Sequence, residues 1–165
     1  MNQDMQIIRE VSAMAETFYE DAVALGDHAA SAFQSLKRTD RNNHRSQMTG
    51  LENITESTFK ASDVLDYIKK QTARHKYWQK GYAKHTNPNE GFGERLKNYL
   101  EQKLPGRRDA VCTRVGIGKD TYDDWLKRQH VYLLLIRQFI RYLVVQYEYQ
   151  VSLDTREETN DGARH

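Results

Sequence analysis

The chain has 165 residues, of which 38% are hydrophobic and 29% charged, with a net charge of +2 and a mean hydropathy of −0.86. We expect one domain, or one domain with an appendage, that buries a modest core. The single cysteine, Cys112, excludes an intramolecular disulfide and a paired-cysteine zinc site. The N-terminus does not resemble a signal peptide, and the longest apolar run, residues 131–136, is too short to span a bilayer. A cytoplasmic protein without a membrane partner is therefore predicted.

Helix breakers are scarce, with only two prolines, and an all-α fold is predicted. Residues 2–37 carry a heptad repeat, which indicates one long helix. Its members are Ile8, Val11, Ala15, Phe18, Ala22, Leu25, Ala29, Ala32 and Leu36. The many alanines allow a partner helix to approach closely. That partner is either the core of the same chain or, in an oligomer, a second chain.

A second helix is expected after a polar loop at residues 36–47. The sequence Thr49 to Glu52 fits a capping box, which typically begins a helix. The apolar seam that follows consists of Leu51, Ile54, Thr58, Ala61, Leu65, Ile68 and Thr72. Two long helices joined by a loop predict an antiparallel hairpin, and residues 1–86 are its expected extent.

The end of this hairpin, residues 69–85, is a basic segment that contains no acidic residue. Its candidate nucleic-acid-binding residues are Lys69, Lys70, Arg74, Lys76, Lys80 and Lys84. At helical spacing Lys69, Lys76 and Lys80 share one side, and such a stripe neutralises phosphates without reading sequence. The same spacing places Ile68, Thr72 and Trp78 on the inward side. Tyr77, Trp78 or Tyr82 could stack on unpaired bases. The alternative is a solvated helix end, where cations complement the helix dipole.

A second unit is predicted over residues 87–153. A third helix, containing Phe92, Leu96, Tyr99 and Leu100, is expected to end at Pro105-Gly106. Residues 131–153 are apolar almost all round and predict a buried helix, although residues 147–153 alternate as a strand does. Residues 2–37 and 130–150 are the expected contacts in a homo-oligomer or with another protein. Residues 154–165 predict a mobile polar tail.

Residues 107–128 carry a pattern of small and apolar side chains at fixed offsets. The small residue is Cys112, the turn residue is Gly116, and the apolar residues are Val111, Val115, Ile117, Tyr122 and Trp125. Two helices that cross steeply need a small side chain at closest approach and a glycine in the left-handed turn. In these features the segment resembles the helix-turn-helix of phage-repressor proteins. The resemblance implies DNA binding by a second helix with Gly118 as its N-cap.

Some charged residues of this helix-turn-helix-like unit favour DNA binding and others oppose it. Its candidate nucleic-acid-binding residues are Arg107, Arg108, Arg114, Lys119, Lys127 and Arg128. Three aspartates, Asp120, Asp123 and Asp124, occupy the expected groove-facing side and oppose DNA phosphates. The alternative is a helical turn packed by Tyr122 and Trp125, with a solvated acidic face.

No enzyme, metal site or cofactor is indicated by the remaining residues. The six histidines lack the spacing of metal ligands. Arg38 and His44 have the Arg-x5-His spacing of a helical class of ribonucleases, but such spacing arises by chance in a polar loop. The sequence predicts a non-enzymatic nucleic-acid-binding protein, with DNA bound through residues 107–128.

Two other functions stay open. The basic hairpin and the last helix, with its sequence FIRYLVVQYEYQ, resemble the small helical subunits of CRISPR effector complexes. This resemblance implies a subunit of a ribonucleoprotein that binds the nucleic-acid backbone. A protein–protein scaffold, in which the basic segment is incidental, is the third possibility.

Overall fold

The computed structural model describes residues 2–164, and this part of the chain is all-α, as predicted. A 3-10 helix spans Lys76–Gln79, and residues 2–164 contain no strand. The α-helices are α1 Gln3–Glu16, α2 Tyr19–Gln34, α3 Arg38–Ser57, α4 Ala61–Arg74, α5 Phe92–Gln102, α6 Leu104–Val115 and α7 Tyr122–Gly162. Among the helices of residues 2–164, none has an apolar stretch long enough to cross a membrane.

Helix α7 is the centre of the fold. It has 41 residues, which corresponds to a length of about 60 Å. Between residues 131 and 151 it buries side chains on nearly every side, including Leu135, Phe139 and Leu143. Helices α1, α2, α3, α4 and α6 all pack against it. The predicted helix over residues 131–153 is therefore confirmed, and the strand-like alternation at residues 147–153 lies within it.

The predicted N-terminal helix is divided at Thr17 and Phe18 into α1 and α2. The heptad nevertheless identifies the inner face, because its members from Val11 to Ala32 are buried. Ile8 is the exception, since its neighbour Ile7 is buried in its place and Ile8 is mostly exposed. The repeat thus predicts which face is covered even though the helix is interrupted.

Small residues on α2 let α7 approach closely. Ala22, Ala29 and Ala30 are fully buried on this helix. A Cβ added to Gly26 would lie 2.6 Å from the carbonyl oxygen of Leu143 and 2.7 Å from Cβ of Gln146. Because both of those atoms belong to α7, Gly26 marks the closest approach of the two helices. The alanine-rich face expected to receive a partner helix is covered by α7 of the same chain.

The predicted loop over residues 36–47 is wrong, because α3 already begins at Arg38. Thr49 and Glu52 lie inside this helix and form no capping box at its start. The helix buries His44, Gln47, Met48, Leu51 and Thr55, a spacing of three to four residues. Three of these core positions, His44, Gln47 and Thr55, are polar, so hydrophobic periodicity does not identify the inner face of this helix.

The second predicted seam does not form one helix, because the chain is extended at Thr58 and Lys60. Arg137 of α7 donates hydrogen bonds to the carbonyl oxygens of Thr55 and Thr58, at 3.0 and 2.9 Å. The Thr58 hydroxyl also contacts a carboxylate oxygen of Asp63 at 2.5 Å. In place of two long helices, the structure has four, α1 to α4.

Two further boundaries differ from the prediction. Pro105 and Gly106 lie in the first turn of α6 instead of ending a helix, and proline is tolerated there because the first N–H groups have no helical partner. The predicted mobile tail is helical as far as Gly162. Arg41 of α3 holds it through two hydrogen bonds of 3.0 Å to Glu158. Met1 and His165 lie outside the described residues.

We predict that Gly26→Ala destabilises the protein by about 1–3 kcal/mol, because the new methyl group forces α2 and α7 apart. The loss should appear in spite of the higher helix propensity of alanine. Thermal unfolding followed by circular dichroism measures it. Gly106→Ala is the matched control, since a Cβ there meets nothing within 4 Å. Equal melting temperatures for the two variants would contradict the close contact.

Candidate nucleic-acid interface

The basic segment is not one helical stripe. Helix α4 ends at Arg74, His75 is extended, and the 3-10 helix is followed by residues 80–91 without regular structure. Lys69, Lys76 and Lys80 therefore stand on three different elements, and the predicted helical face does not exist. All six candidate cations of the segment are nevertheless exposed.

Two aromatic residues anchor the segment instead of facing solvent. Trp78 is completely buried, and its Nε1 donates to Oε1 of Gln47 at 2.7 Å. The Tyr77 hydroxyl contacts the amide nitrogen of the same Gln47, and its ring meets His44 edge-on with 4.6 Å between centroids. The expectation that these residues stack on bases is wrong, because a buried glutamine satisfies both of their polar groups.

A buried histidine, His28, provides the second anchor. Its Nε2 lies 2.7 Å from the carbonyl oxygen of Lys80, and its Nδ1 lies 3.2 Å from Nη1 of Arg95. A carbonyl only accepts and a guanidinium only donates, so Nε2 carries the proton and the ring is neutral. Burial lowers the pKa of His28 to about 4, and the nearby Arg95 charge adds to this. Tyr82 stacks on the same ring, at 5.3 Å.

Five of the six cations of the basic segment have no acidic partner within residues 2–164. Lys69 lies 3.9 Å from Glu101. In residues 2–164, no carboxylate lies within 4.0 Å of the remaining five, which are Lys70, Arg74, Lys76, Lys80 and Lys84. The fold thus holds the backbone at Trp78 and Lys80 and leaves the neighbouring charges to the solvent.

The cations of the helix-turn-helix-like unit are used differently. Five of the six contact other parts of the protein: Arg107 with Thr17 at 3.1 Å, Arg108 and Arg128 with Asp109, Arg114 with Glu10 at 2.9 Å, and Lys127 with Gln3 at 2.8 Å. Two of them also lie over aromatic rings, Arg107 over Phe18 and Tyr99, and Arg108 over Tyr132. Lys119 is exposed and has no such contact in residues 2–164.

The turn of this unit has the predicted conformation. Gly116 ends α6 with φ of 84°, in the left-handed region, and the Ile117 N–H donates to the carbonyl oxygen of Cys112 at 2.9 Å. Val111, Cys112 and Ile117 are buried. The left-handed glycine is therefore confirmed, and Cys112, the small residue of the pattern, is buried.

The second helix of the unit differs from the prediction. It begins at Tyr122, because Thr121 and Asp124 form a capping box and Gly118 does not act as the N-cap. Tyr122 and Trp125 are 72% and 53% exposed and stack on each other, so they do not pack the turn. The capping box satisfies two backbone N–H groups that a glycine cap would leave without a side-chain acceptor, which explains the later start. This helix then continues without a break as the central helix α7.

The Arg38 and His44 pair lies on α3 but does not form an open site. Arg38 is exposed, whereas His44 is completely buried among Phe33, Tyr77 and Tyr147. Its Nδ1 lies 3.4 Å from the Tyr147 hydroxyl, and its Nε2 has no hydrogen-bond partner. Burial lowers the pKa of His44 to about 4. In residues 2–164, no group of His, Cys, Asp and Glu side chains is arranged to hold a metal ion.

No family model, curated protein or solved structure matches this chain. The residues that position the basic segment, His28 and Gln47, were not predicted as functional. Both are single polar residues on otherwise ordinary helices, and only their contacts across the fold give them a role.

We predict that the protein loses stability between pH 6.5 and pH 4, because His28 and His44 must be protonated there in the unfolded chain but not in the folded one. The unfolded state then binds more protons, so stability falls as the pH falls. At pH 5 each histidine contributes a loss of about 2 kcal/mol. His44→Phe keeps a ring in the aromatic cluster and removes one of the two contributions.

Urea unfolding of the wild type and of His44→Phe at pH 7.5 and pH 5 measures this difference. The comparison at pH 7.5 reports packing alone, since histidine is neutral there in both states. The variant should lose about 2 kcal/mol less than the wild type on going to pH 5. An identical loss in both proteins would show that His44 is already protonated in the folded state.

Proposed function

We propose that the protein is a non-enzymatic nucleic-acid-binding protein and that its contact surface is the basic segment. Five exposed cations without an acidic partner, on a backbone anchored at Trp78 and Lys80, support this proposal. Lysine and arginine side chains that stabilise nothing in their own fold are available to phosphates. Each such contact releases a condensed counterion, which is the main source of affinity for a nucleic-acid backbone.

The anchoring of the basic segment lowers the conformational entropy that is lost when it binds a nucleic acid. A flexible basic loop must be ordered when it binds, and that ordering opposes association. Here Gln47 holds the 3-10 helix through Trp78 and Tyr77, and His28 holds the carbonyl of Lys80. The side chains of Lys76 and Lys80, next to these two anchors, then retain mobility while the backbone that carries them is already fixed.

The aromatic residues of the segment are occupied in the fold, which favours contact with phosphates over contact with bases. Tyr77 and Trp78 are buried, and Tyr82 covers the ring of His28. Recognition would then follow charge and the path of the backbone, so that DNA and RNA are both bound without sequence preference. Five phosphate contacts correspond to a slope of log K against log salt of roughly −4.5 on duplex DNA.

Sequence-specific DNA binding by residues 107–128 is the second candidate. The left-handed Gly116, the exposed first turn of α7 and the exposed Lys119 before that turn favour it. Against it stand the intramolecular contacts of the other basic residues and the exposed carboxylates of Asp120 and Asp123. An acidic helix end repels a duplex unless each carboxylate meets a cytosine amino group.

A helical subunit of a CRISPR-type ribonucleoprotein is the alternative form of the main proposal. Such a subunit needs one surface for the nucleic-acid backbone and another for a neighbouring protein. The basic segment supplies the first. Exposed apolar residues at the start of α7 and at Phe59 support the second.

We predict that Arg74, Lys76 and Lys80, changed together to alanine, weaken binding and flatten the salt dependence by roughly 2–3 in slope, because up to three phosphate contacts are lost. Fluorescence anisotropy of a labelled duplex and of a single strand, titrated at several salt concentrations, measures this. Lys103, Lys119 and Lys127, changed together to alanine, remove the same charge from the helix-turn-helix-like unit and the residues just before it, and should leave the slope unchanged.

The paired variants also separate the two candidate surfaces. If the second triple variant flattens the slope and the first does not, the nucleic acid binds at the helix-turn-helix-like unit. If the wild type binds neither duplex nor single strand at low salt, the proposed function is wrong.

A further inference from the structure

An apolar groove of about 620 Å³ lies between the α3–α4 connection and the N-terminal half of α7. Its apolar lining includes Phe59 from the connection and Trp125, Leu126 and Leu133 from α7. The groove follows α7 from Trp125 to Arg137, a distance of about 18 Å at 1.5 Å per residue. That length corresponds to about three helical turns.

Phe59 is displayed on a fixed turn. Its side chain is 95% exposed, the highest exposure of any large apolar residue in residues 2–164. The turn that carries it is held by Arg137, which donates to the carbonyl oxygens of Thr55 and Thr58. The backbone N–H of Lys60 also donates to the Thr58 hydroxyl, at 3.1 Å. A phenylalanine fixed in solvent next to exposed Trp125 is typical of an interaction surface.

The ionisable side chains that line the groove are all basic. They are Lys60, His130 and Arg137, and no aspartate or glutamate lines the groove in residues 2–164. Arg137 donates to carbonyl oxygens, and in residues 2–164 no carboxylate lies within 4.0 Å of its guanidinium nitrogens. An apolar surface with uncompensated positive charge fits a partner that combines apolar side chains with an acidic group.

We propose that this groove docks an amphipathic helix of a partner protein, with apolar residues along one face and a carboxylate opposite Lys60 and Arg137. The α7 residues that line the groove recur at Trp125, Gln129, Leu133 and Arg137, one every four residues, and so form one face. A helix laid along this face would place its own anchors at similar spacing. Docking here leaves the basic segment free for nucleic acid.

The charges around the groove favour a peptide over a nucleic acid. Asp123 and Asp124 lie in the first turn of α7, and Asp63 and Asp66 lie on the first two turns of α4. In the sequence, Asp123 and Asp124 come just before the groove residue Trp125, and Asp63 and Asp66 follow the groove residue Ser62. A single carboxylate on a peptide can contact Lys60 and Arg137 alone. A continuous phosphate backbone would also lie near the neighbouring aspartates, which repel it.

A displayed library of helical peptides tests the proposal on the full-length chain. Leucine is fixed at positions i, i+4 and i+7, and the other positions are drawn from Glu, Lys, Gln and Ser. Peptides selected by the wild type should be enriched in Glu over Lys at one position. Their affinity should fall at least tenfold in the double variant Phe59→Ser, Trp125→Ser, whose melting temperature stays close to that of the wild type because both residues are exposed.

Two further variants complete the design. Val145→Ser with Tyr149→Ser removes exposed apolar residues elsewhere on α7 and should leave peptide affinity unchanged. Lys60→Glu should shift the selected charge from Glu towards Lys. An absence of peptides whose binding depends on the groove, or equal enrichment of Glu and Lys, would overturn the proposal.

The double variant Phe59→Ser, Trp125→Ser also tests whether a nucleic acid or a second copy of the chain occupies the groove. If it loses binding to an oligonucleotide, the groove belongs to the nucleic-acid surface. If it abolishes concentration-dependent self-association in sedimentation, a second copy of the chain fills the groove. Either result would overturn the assignment to a partner helix, and neither depends on whether the basic segment binds nucleic acid.

Discussion

The burial of α7 by the helices around it is the interaction on which the rest of the structure depends. A helix that is apolar on nearly every side between residues 131 and 151 must be covered on nearly every side. Five of the other helices pack against it, and the small residues of α2 allow the closest of these contacts at Gly26. The short helices before α7 are arranged so that each contributes part of this cover.

Arginine and lysine have separate roles in this arrangement. Arginines join distant elements: Arg137 binds two carbonyl oxygens at the C-terminal end of α3, and Arg141 binds Glu56 at 2.6 and 2.9 Å. Arg41 joins α3 to the end of α7 through Glu158. The planar guanidinium is suited to such paired hydrogen bonds, whereas a lysine is a compact, hydrated charge.

The lysines of the basic segment have no comparable partners in the fold. Lys76 and Lys80 extend from a backbone that Gln47 and His28 hold in place, but their own charges meet no carboxylate in residues 2–164. The stability of the fold therefore does not require these charges. A ligand that carries negative charge, such as a phosphate backbone, gives them a function.

The parts of the fold that could be predicted are those decided by local periodicity. The heptad identifies the buried face from Val11 to Ala32, and the left-handed Gly116 follows from its position between two apolar helices. The start of α3 could not be predicted, because its inner face uses the polar residues His44 and Gln47. Their burial depends on Tyr77, Trp78 and Tyr147, which come from distant parts of the chain.

In the candidate site too, some features could be predicted from the sequence and others depend on the tertiary fold. Composition alone identifies the basic segment, since six cations occur there without an acid. Helical spacing wrongly placed Lys76 and Lys80 on α4, and it could not show that Tyr77 is buried while Trp125 is exposed. Spacing says which residues share a face. Whether another element covers that face is decided by the tertiary fold.

Acetylation of lysines, followed by mass spectrometry with and without a bound oligonucleotide, tests the central claim most directly. We expect a 20-nucleotide single strand to protect Lys70, Lys76, Lys80 and Lys84, while Lys119 and Lys127 stay reactive. The result should be the same for a duplex, because contact with phosphates does not depend on base pairing. Protection of Lys119 and Lys127, with unchanged reactivity in the basic segment, would contradict the claim.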